Sequence, residues 1–433
     1  MTLEKIHQLF LQSSGICTDT RKLTSGQLFF ALKGENFDGN SYAKKALENG
    51  ASYAIIDTAT YATNDHYILV ANVLQTLQDL SNFHRRYLKT PIIALTGSNG
   101  KTTTKELIKT VLATTYKVTA TQGNLNNHIG VPLTLLSMTK ETEIGVVEMG
   151  ANHPGEIDFL CNIALPDYGY ITNIGKAHLE GFKSLEGVLK AKTELYRHLQ
   201  QHDKLAFINA DDTALTTAAQ KGNTYSFAQD TSADLQIKFQ AADPMVRIAT
   251  SNQTITSQLI GSYNATNIAA AITIGSYFKV SLDRISTAIG AYTPKNNRSQ
   301  LLQHDNQLII LDAYNANPTS MTAALNNLSQ LPQKPKIAFL GDMFELGKSA
   351  AIEHEKIAAL ACTSTIEKIY VLGENFYGTT LDNPKLHKYK SVEALQEAWK
   401  TTTSIAEEGV FLVKGSRGMQ MERILPLIQQ HPE

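Results

Sequence analysis

At 433 residues the chain is too long for one ordinary core, so two or three domains are expected, and a composition of 42% hydrophobic and 18% charged residues is that of a globular protein. With 39 basic against 40 acidic residues, no charge excess argues for nucleic acid or an anionic membrane surface. Three scattered cysteines without metal-ligand spacing (Cys17, Cys161, Cys362), an N-terminus that reads as a short amphipathic helix and not a secretion signal, and no apolar run of membrane-spanning length together predict a cytoplasmic protein with no membrane insertion.

The first eighty or so residues mix short strands with turns. The segment Thr18-Asp19-Thr20-Arg21 either reads a phosphate or sugar or is a capped turn, and both readings stay open. A strand is predicted at residues 28–32, a turn at Asp38-Gly39-Asn40, and a helix from Tyr42 to Asn49 that stops at Gly50. A helical stretch from Val73 to Tyr87 leads to the first boundary, near residue 85.

Pro91 opens a short apolar run, Ile92 to Leu95, that reads as a buried strand. Gly97, Ser98, Asn99 and Gly100 follow, then Lys101, Thr102 and Thr103, then a helical pattern with Leu107, Ile108, Val111 and Leu112 on one face. Strand, glycine loop, lysine, hydroxyl and helix is the order of a nucleoside triphosphate site. Backbone N–H groups and the helix N-terminus face the phosphates, Lys101 reaches the outer ones, and the Thr102 hydroxyl joins a magnesium shell. Leu95 stands where the general P-loop pattern has its first glycine, so the loop is a shortened one. ATP is the predicted ligand.

From 91 to about 295 strands alternate with helices, which predicts a mostly parallel sheet whose polar strand ends ring the loop. Glu148, ending one strand, is placed to ligate magnesium, a hard ion that prefers oxygen. Asn126 and Asn127, in an amide-rich loop with Asn124 and His128, suit a sugar or peptide, or simply cap their own loop. His178 is a poor match for magnesium. By residue type Lys192, in a helix predicted over 186–199, is a surface lysine, whereas its carbamate would offer oxygen ligands. Helix capping accounts for one of Asn264 and Asn267, and a base contact for the other.

A second α/β unit starts near Asn296, with strands predicted at 308–311, 337–340, 369–372 and 410–413 and helices around 320–328, 350–361, 392–400 and 420–429. Strand ends at Asp312 to Asn317, at 341–347 and at Lys414 to Arg417 suggest a substrate-binding rim. Lys414 and Arg417 are suited to a carboxylate or phosphate.

The strings TGSNGKTTTKE (96–106), GNLNNHIGVPLT (123–134), EMGANHPGEI (148–157), NIGKAHLEGF (173–182), DAYNANPTSM (312–321), GDMFELG (341–347) and KGSRGM (414–419) resemble those of the Mur ligases, ATP-dependent amino-acid ligases of peptidoglycan precursor synthesis. The resemblance covers essentially the full length. It implies three α/β domains: 1–85 binding a UDP-sugar, 86–295 a central P-loop ATPase with a mostly parallel sheet, and 296–433 a Rossmann-like domain receiving the incoming amine. The last three strings point to the branch that adds D-Ala-D-Ala to UDP-MurNAc-tripeptide through an acyl phosphate, acting as a monomer.

By carry-over, Lys101, His178 and Lys192 are catalytic. Thr102 and Glu148 hold one Mg2+, and His178 with a carbamylated Lys192 holds a second. Asn264, Asn267, Arg298 and Asp312 lie near the nucleotide. Thr18, Asp19, Thr20, Arg21, Asn126, Asn127, Tyr314, Asn315, Asn317, Lys414 and Arg417 contact the substrates. Asn40 stands where the family has histidine, and Asp382-Asn383-Pro384-Lys385, similar to a diaminopimelate-recognising string, reads here as a turn. Related amide ligases (a diaminopimelate-adding or folylpolyglutamate type) and a non-catalytic P-loop regulator are the alternatives.

Overall fold

A computed structural model describes residues 1–240, 244–295, 297–399, 406 and 408–429. The amphipathic first helix, α1 (Leu3–Gln12), turns Ile6, His7 and Phe10 inward. Strands β1 (Ile16–Cys17), β2 (Leu28–Phe30), β3 (Tyr53–Ile56) and β4 (Tyr67–Leu69) pair in parallel in that order. The helix predicted from Tyr42 is shorter: a 3-10 turn over Gly39–Tyr42 precedes α2 (Ala43–Glu48), and Gly50 takes φ +99° just beyond.

Helix α3 (Val73–Leu88) has two jobs. Val73, Leu77 and Leu80 complete the core under β2, β3 and β4. On another side Gln78 donates to His128 O, Asn82 to Asn162 O, and Arg85 to Ala164 O and the Asp167 carboxylate. The boundary expected near residue 85 therefore falls inside a helix that is itself bonded to the central unit.

That central unit contains β5 (Ile92–Thr96), α4 (Lys101–Leu112), β6 (Val118–Ala120), α5 (Gly130–Leu136), β7 (Ile144–Glu148), α6 (Glu156–Ala164) and β8 (Tyr168–Ile171). Next come α7 (Leu179–Phe182), α8 (Leu185–Lys192), α9 (Glu194–Gln201), β9 (Leu205–Asn209), α10 (Thr213–Ala219), β10 (Asn223–Ala228) and β11 (Leu235–Gln236). Seven strands form one parallel sheet, ordered β11-β10-β9-β8-β5-β7-β6. After β5 the chain builds β6 and β7 to one side and β8 to β11 to the other, so the P-loop leaves the sheet at a topological switch point, the usual ligand crevice of such sheets. The helix predicted over 186–199 is two helices, α8 and α9, meeting at Thr193.

A three-stranded antiparallel sheet, β12 (Lys238–Gln240), β13 (Met245–Ala249) and β14 (Thr254–Ile260), was not expected from the alternating pattern. It supports the alanine-rich α11 (Ala265–Tyr277), buried all round because small side chains let it lie between this sheet and α4. Helix α12 (Leu282–Ala291) closes the unit.

The expected start of the last unit, residue 296, lies outside the described residues, as does residue 400 at the end of the helix predicted over 392–400. The unit comprises β15 (Gln300–His304), β16 (Asn306–Asp312), α13 (Pro318–Gln330), β17 (Lys336–Gly341), α14 (Ala350–Thr363), β18 (Lys368–Leu372), α15 (Glu374–Tyr377), β19 (Leu386–Tyr389), α16 (Val392–Trp399), β20 (Glu408–Lys414) and α17 (Leu425–Gln429). Its sheet runs β15-β16-β20-β17-β18-β19, with only β15 antiparallel among these pairings. The four predicted strands are its interior. The two edge strands, β15 and β19, were missed because they are only half-buried and read as polar. Asn383 accepts from Lys385 N, so 382–385 is a turn as read.

Candidate active site

The loop after β5 is held from behind by the end of β8. Ser98 N donates to Asn173 O, Asn99 N to Asn173 Oδ1, Thr172 Oγ1 to Asn99 O, and the Ser98 hydroxyl to Gly175 O. Two glycines are demanded by geometry. A Cβ on Gly97 (φ +142°) would lie 2.0 Å from Thr172 Oγ1, and one on Gly100 (φ +78°) would lie 2.5 Å from Asn267 Oδ1. The Lys101 ammonium folds back over the loop, donating to Gly97 O (2.7 Å) and Ser98 O (3.1 Å). Burial lowers its pKa, and the charges of Glu148 and Glu345 act in the opposite direction.

Asn264 and Asn267 serve the same loop from the other flank. Thr104 donates to Asn267 Oδ1, Asn267 Nδ2 to Asn264 Oδ1, and Asn264 Nδ2 to Ile260 O. Neither side chain caps α11, which corrects the expectation of a capping role: the pair ties α11 to α4 beside the phosphate loop.

Glu148 is 1% exposed. Its Oε1 accepts from Asn126 Nδ2 (2.8 Å), while Oε2 is buried with no hydrogen-bond partner. A buried carboxylate oxygen left bare is costly unless a cation satisfies it, and the Thr102 hydroxyl opens α4 on the same cavity. The residues present therefore fit one magnesium ion. Asn127 does what its neighbour does not: its Oδ1 accepts from Ile129 N and Gly130 N, capping the start of α5. Of the two readings left open for the amide loop, Asn127 meets the capping one, while Asn126 bonds Glu148.

Lys192 is not the surface lysine that residue type suggests. It is 1% exposed, donates to Ala151 O (3.0 Å) and lies 5.2 Å from the Phe182 ring centre. Burial, reinforced by the Lys101 charge, pushes its pKa well down. His178 borders the same Phe182, with ring centres 6.4 Å apart. His178 takes φ +51°, and its Nδ1 is 2.6 Å from Glu345 Oε2 of the loop after β17.

The facing wall comes from the carboxyl ends of β16 and β20. Asp312 and Lys414 are register partners, and Lys414 Nζ contacts Asp312 Oδ2 at 2.5 Å while also donating to Asn315 O. Removing either partner would strand a largely buried charge, typically at a cost of about 3–5 kcal/mol. The Arg298 guanidinium stacks 3.5 Å from the Tyr314 ring centre. Asn317 caps α13 through a capping box with Ser320, and its amide donates to Asn99 Oδ1 of the phosphate loop.

These walls enclose a cavity of about 550 Å³, within the usual range for small-molecule sites. Among the predicted site residues it is lined by Ser98 to Thr103, Asn126, Asn127, Glu148, His178, Asn264, Asn267, Arg298, Asp312, Tyr314, Asn315, Asn317 and Lys414. Gly97 and Lys192 lie just behind this wall. Thr18, Asp19, Thr20 and Arg21 are not among the lining residues. There Asp19 accepts from the Arg21 backbone and pairs with its guanidinium, which satisfies the capped-turn reading. Arg417 pairs with Glu422 outside the cavity. The lining also includes Asn152, Glu156, Phe159, Asn173, Ser299 and Thr319, which residue-by-residue reading passed over. Asn152 and Glu156 sit in the string that begins with Glu148, and Asn173 in the one that contains His178.

A P-loop at a switch point, faced by the strand ends of a second α/β unit, is the architecture of a two-lobed nucleotide-dependent enzyme. The chain matches the family descriptions "Mur ligase family, catalytic domain" over residues 12–93, "Mur ligase middle domain" over 95–275 and "Mur ligase, glutamate ligase domain" over 297–417. It is 35% identical over 431 residues to the UDP-N-acetylmuramoyl-tripeptide–D-alanyl-D-alanine ligase of Bacillus subtilis, covering 96% of this chain and 93% of that protein. The structure resembles MurF from Acinetobacter baumannii (TM-score 0.83, 31% identity, 98% of each chain). It also resembles MurF ligase from Thermotoga maritima in complex with ADP (TM-score 0.85, 27% identity, 97% of this chain and 98% of that one).

The chain belongs to the Mur ligase family. Relatives it matches over nearly their whole length include the D-alanyl-D-alanine-adding ligases of Bacillus subtilis and Escherichia coli.

Proposed function

We propose that the chain is an ATP-dependent, ADP-forming ligase that joins D-alanyl-D-alanine to UDP-N-acetylmuramoyl-tripeptide. The observation that carries the reading is one cavity walled on one side by the phosphate loop and the bare Glu148 oxygen, and on the other by Asp312, Tyr314 and Lys414. A tripeptide carboxylate oxygen attacks the γ-phosphorus of ATP. The bond to the β,γ-bridging oxygen breaks, leaving ADP and an acyl phosphate. The dipeptide amine then attacks the acyl carbon, loses a proton, and the tetrahedral intermediate expels phosphate as the new peptide bond forms. Positioning and cations supply most of such catalysis.

Lys101 follows the transferring phosphoryl group once phosphate oxygens replace the loop carbonyls it now bonds. Thr102 and Glu148 would hold magnesium, which when bound neutralises charge on the β- and γ-phosphates. His178 and a carbamylated Lys192 are assigned to a second such ion, because the two side chains border the same Phe182 ring and a buried amine of lowered pKa is the kind that adds carbon dioxide. Residues 1–85, with Thr18 to Arg21, take the UDP-sugar. Residues 86–295 take ATP, with Asn264, Asn267, Arg298 and Asp312 at the nucleotide. Residues 296–433 take the dipeptide, with Tyr314, Asn315, Asn317, Lys414 and Arg417 as its contacts. Asn126 and Asn127 face the tripeptide. The chain works as a cytoplasmic monomer; among the described residues no helix is long and apolar enough to cross a membrane.

The test is ADP release by the purified chain, with mass analysis of the product. Release should require both UDP-MurNAc-tripeptide and D-Ala-D-Ala, should yield the pentapeptide, and should fall about 100-fold or more in Lys101→Ala. Equal turnover with a single amino acid, or no new peptide bond, would overturn the assignment.

A further inference from the structure

Lys105 stands one turn beyond Thr102 on α4, and no step assigned above uses it. It is fully buried, with the Glu106 carboxylate and Thr121 O as the partners of its Nζ. A lysine is rarely buried completely, because its polar end must then find partners where water does not reach. The place of Lys105 is explained by how β6 ends. Ala120 is the register partner of Val146, and Thr121 N donates to Val146 O. In a parallel ladder the next bond would run from Glu148 N to Thr121 O. Instead Lys105 Nζ holds that carbonyl, and Glu148 N donates to the Thr121 hydroxyl (2.9 Å). Thr121, itself 1% exposed, is thereby shared between two elements, its carbonyl bonded to α4 and its hydroxyl to β7. The strand stops there, and the chain enters the loop that returns Asn126 to Glu148 Oε1.

We infer that Lys105 and Thr121 are positioning residues that set the spacing between the Glu148 carboxylate and the Thr102 hydroxyl, and with it the preference for magnesium over a larger cation. Glu148 is fixed at its backbone by residue 121 and at its carboxylate by residue 126. Residue 121 is in turn tied, through Lys105, to the helix that carries Thr102. The two oxygen donors therefore belong to one rigid frame and do not adjust independently. Magnesium tolerates little departure from octahedral geometry at short distances, whereas calcium takes more oxygens at longer ones, so a fixed spacing favours the smaller ion. Lys105 acts on that choice without touching ion or nucleotide. The inference rests on the reading that Thr102 and Glu148 hold magnesium, and not on which acid and amine are joined.

The experiment is calorimetry of ADP binding in Mg2+, in Ca2+ and in EDTA. The gain in ADP affinity on adding a metal separates the ion from the phosphate loop, which binds ADP in EDTA as well. Wild type is compared with Lys105→Met, which keeps the length and loses the donor, with Thr121→Val, which loses the hydroxyl, and with Thr121→Ser, which keeps it. In wild type the magnesium gain should exceed the calcium gain. In Lys105→Met and Thr121→Val the magnesium gain should fall about tenfold or more, the size of effect typical of residues that hold a metal ligand in place. The calcium gain should fall less, affinity in EDTA should stay within twofold, and Thr121→Ser should keep most of the magnesium gain. General loosening of the fold would instead weaken binding in EDTA too, because the phosphate loop opens the same helix. A magnesium gain within twofold of wild type, an equal fall for both metals, a matching loss in EDTA, or a serine variant as poor as valine would each overturn the inference. If Lys105→Met does not fold, the two Thr121 variants decide it. A wild type whose ADP affinity neither metal changes would overturn the magnesium site itself, and this inference with it.

Discussion

Lys192 keeps its amine 1% exposed, bonded to Ala151 O and against the Phe182 ring, within reach of the Lys101 charge. Burial drives its pKa well below the usual lysine range, Lys101 adds to this, and Glu156 and Glu194 act in reverse. A neutral amine is the form that adds carbon dioxide, so the fold supplies the precondition for the carbamate that sequence resemblance implies. Protein equilibrated with carbon-13 bicarbonate should show one carbamate carbon resonance that is missing from Lys192→Ala, and that variant should regain part of its lost activity with short carboxylic acids. Full activity without the resonance would remove Lys192 from the site. Residue type told little here, since a lysine in a polar helical stretch reads as exposed. By contrast Lys101, Thr102 and Glu148 were legible because glycines, a lysine and a strand-end acid in fixed order have few other uses. The amides were legible as a group but not singly: nothing in Asn126-Asn127 says which one faces Glu148 and which caps α5.

At the scale of elements, α1 and α3 meet through a buried histidine pair, with His7 Nε2 and His84 Nδ1 3.0 Å apart and His84 Nε2 3.0 Å from Met138 O. The carbonyl requires His84 to carry its proton on Nε2, so Nδ1 is bare and accepts from His7. Burial lowers both pKa values; the His84 charge lowers that of His7 further, and the Met138 carbonyl acts in the opposite direction on His84. The unfolded chain then binds more protons than the folded one below about pH 6.5. Stability conferred by the neutral pair is therefore present above that pH and is lost as pH falls towards the folded-state values, at up to about 1.4 kcal/mol per pH unit for each histidine. Denaturant titrations at pH 7.5 and 5.5 should show the loss in wild type and a clearly smaller one in a His7→Phe/His84→Gln double variant; equal losses would reject the pair as its source. The sequence revealed α1 and α3 by their apolar periodicity. It did not reveal their junction, because His7 and His84 lie far apart along the chain; the antiparallel strands β12 to β14 pair with one another as successive hairpins and were hidden by the reading of this segment as alternating strands and helices.

For the whole molecule, the reach of the phosphate loop to the last unit depends on a few polar contacts: Asn317 with Asn99, Thr319 with Lys176, Lys176 with Glu353, and Glu345 with the segment 178–180. Beside these polar contacts Ile260, with Met245 and Leu179, packs against the core of the last unit, so the seam is polar around the phosphate loop and apolar at these residues. The order of units and the polar strand ends could be read from the sequence, but which side chains bridge them could not, since bridging needs three-dimensional apposition of loops some 140 to 220 residues apart. The Lys176–Glu353 pair allows the seam to be tested as a unit. Burial favours a neutral Glu353, and the Lys176 and Lys356 ammonium groups together more than offset it, so the carboxylate is held charged and reversing Lys176 sets like charges together. Lys176→Glu should cost about 1–2 kcal/mol of docking, roughly a tenfold shift towards the undocked form. Small-angle scattering should then record a larger radius of gyration, and KM for D-Ala-D-Ala, held by the last unit, should rise more than KM for ATP, whose phosphate loop lies within the central unit. Lys176→Glu combined with Glu353→Lys should restore both the radius and the KM. If the single variant scatters like wild type, the seam is held by other contacts; if the double variant fails to recover, the effect of Lys176 is local and does not arise from the pair.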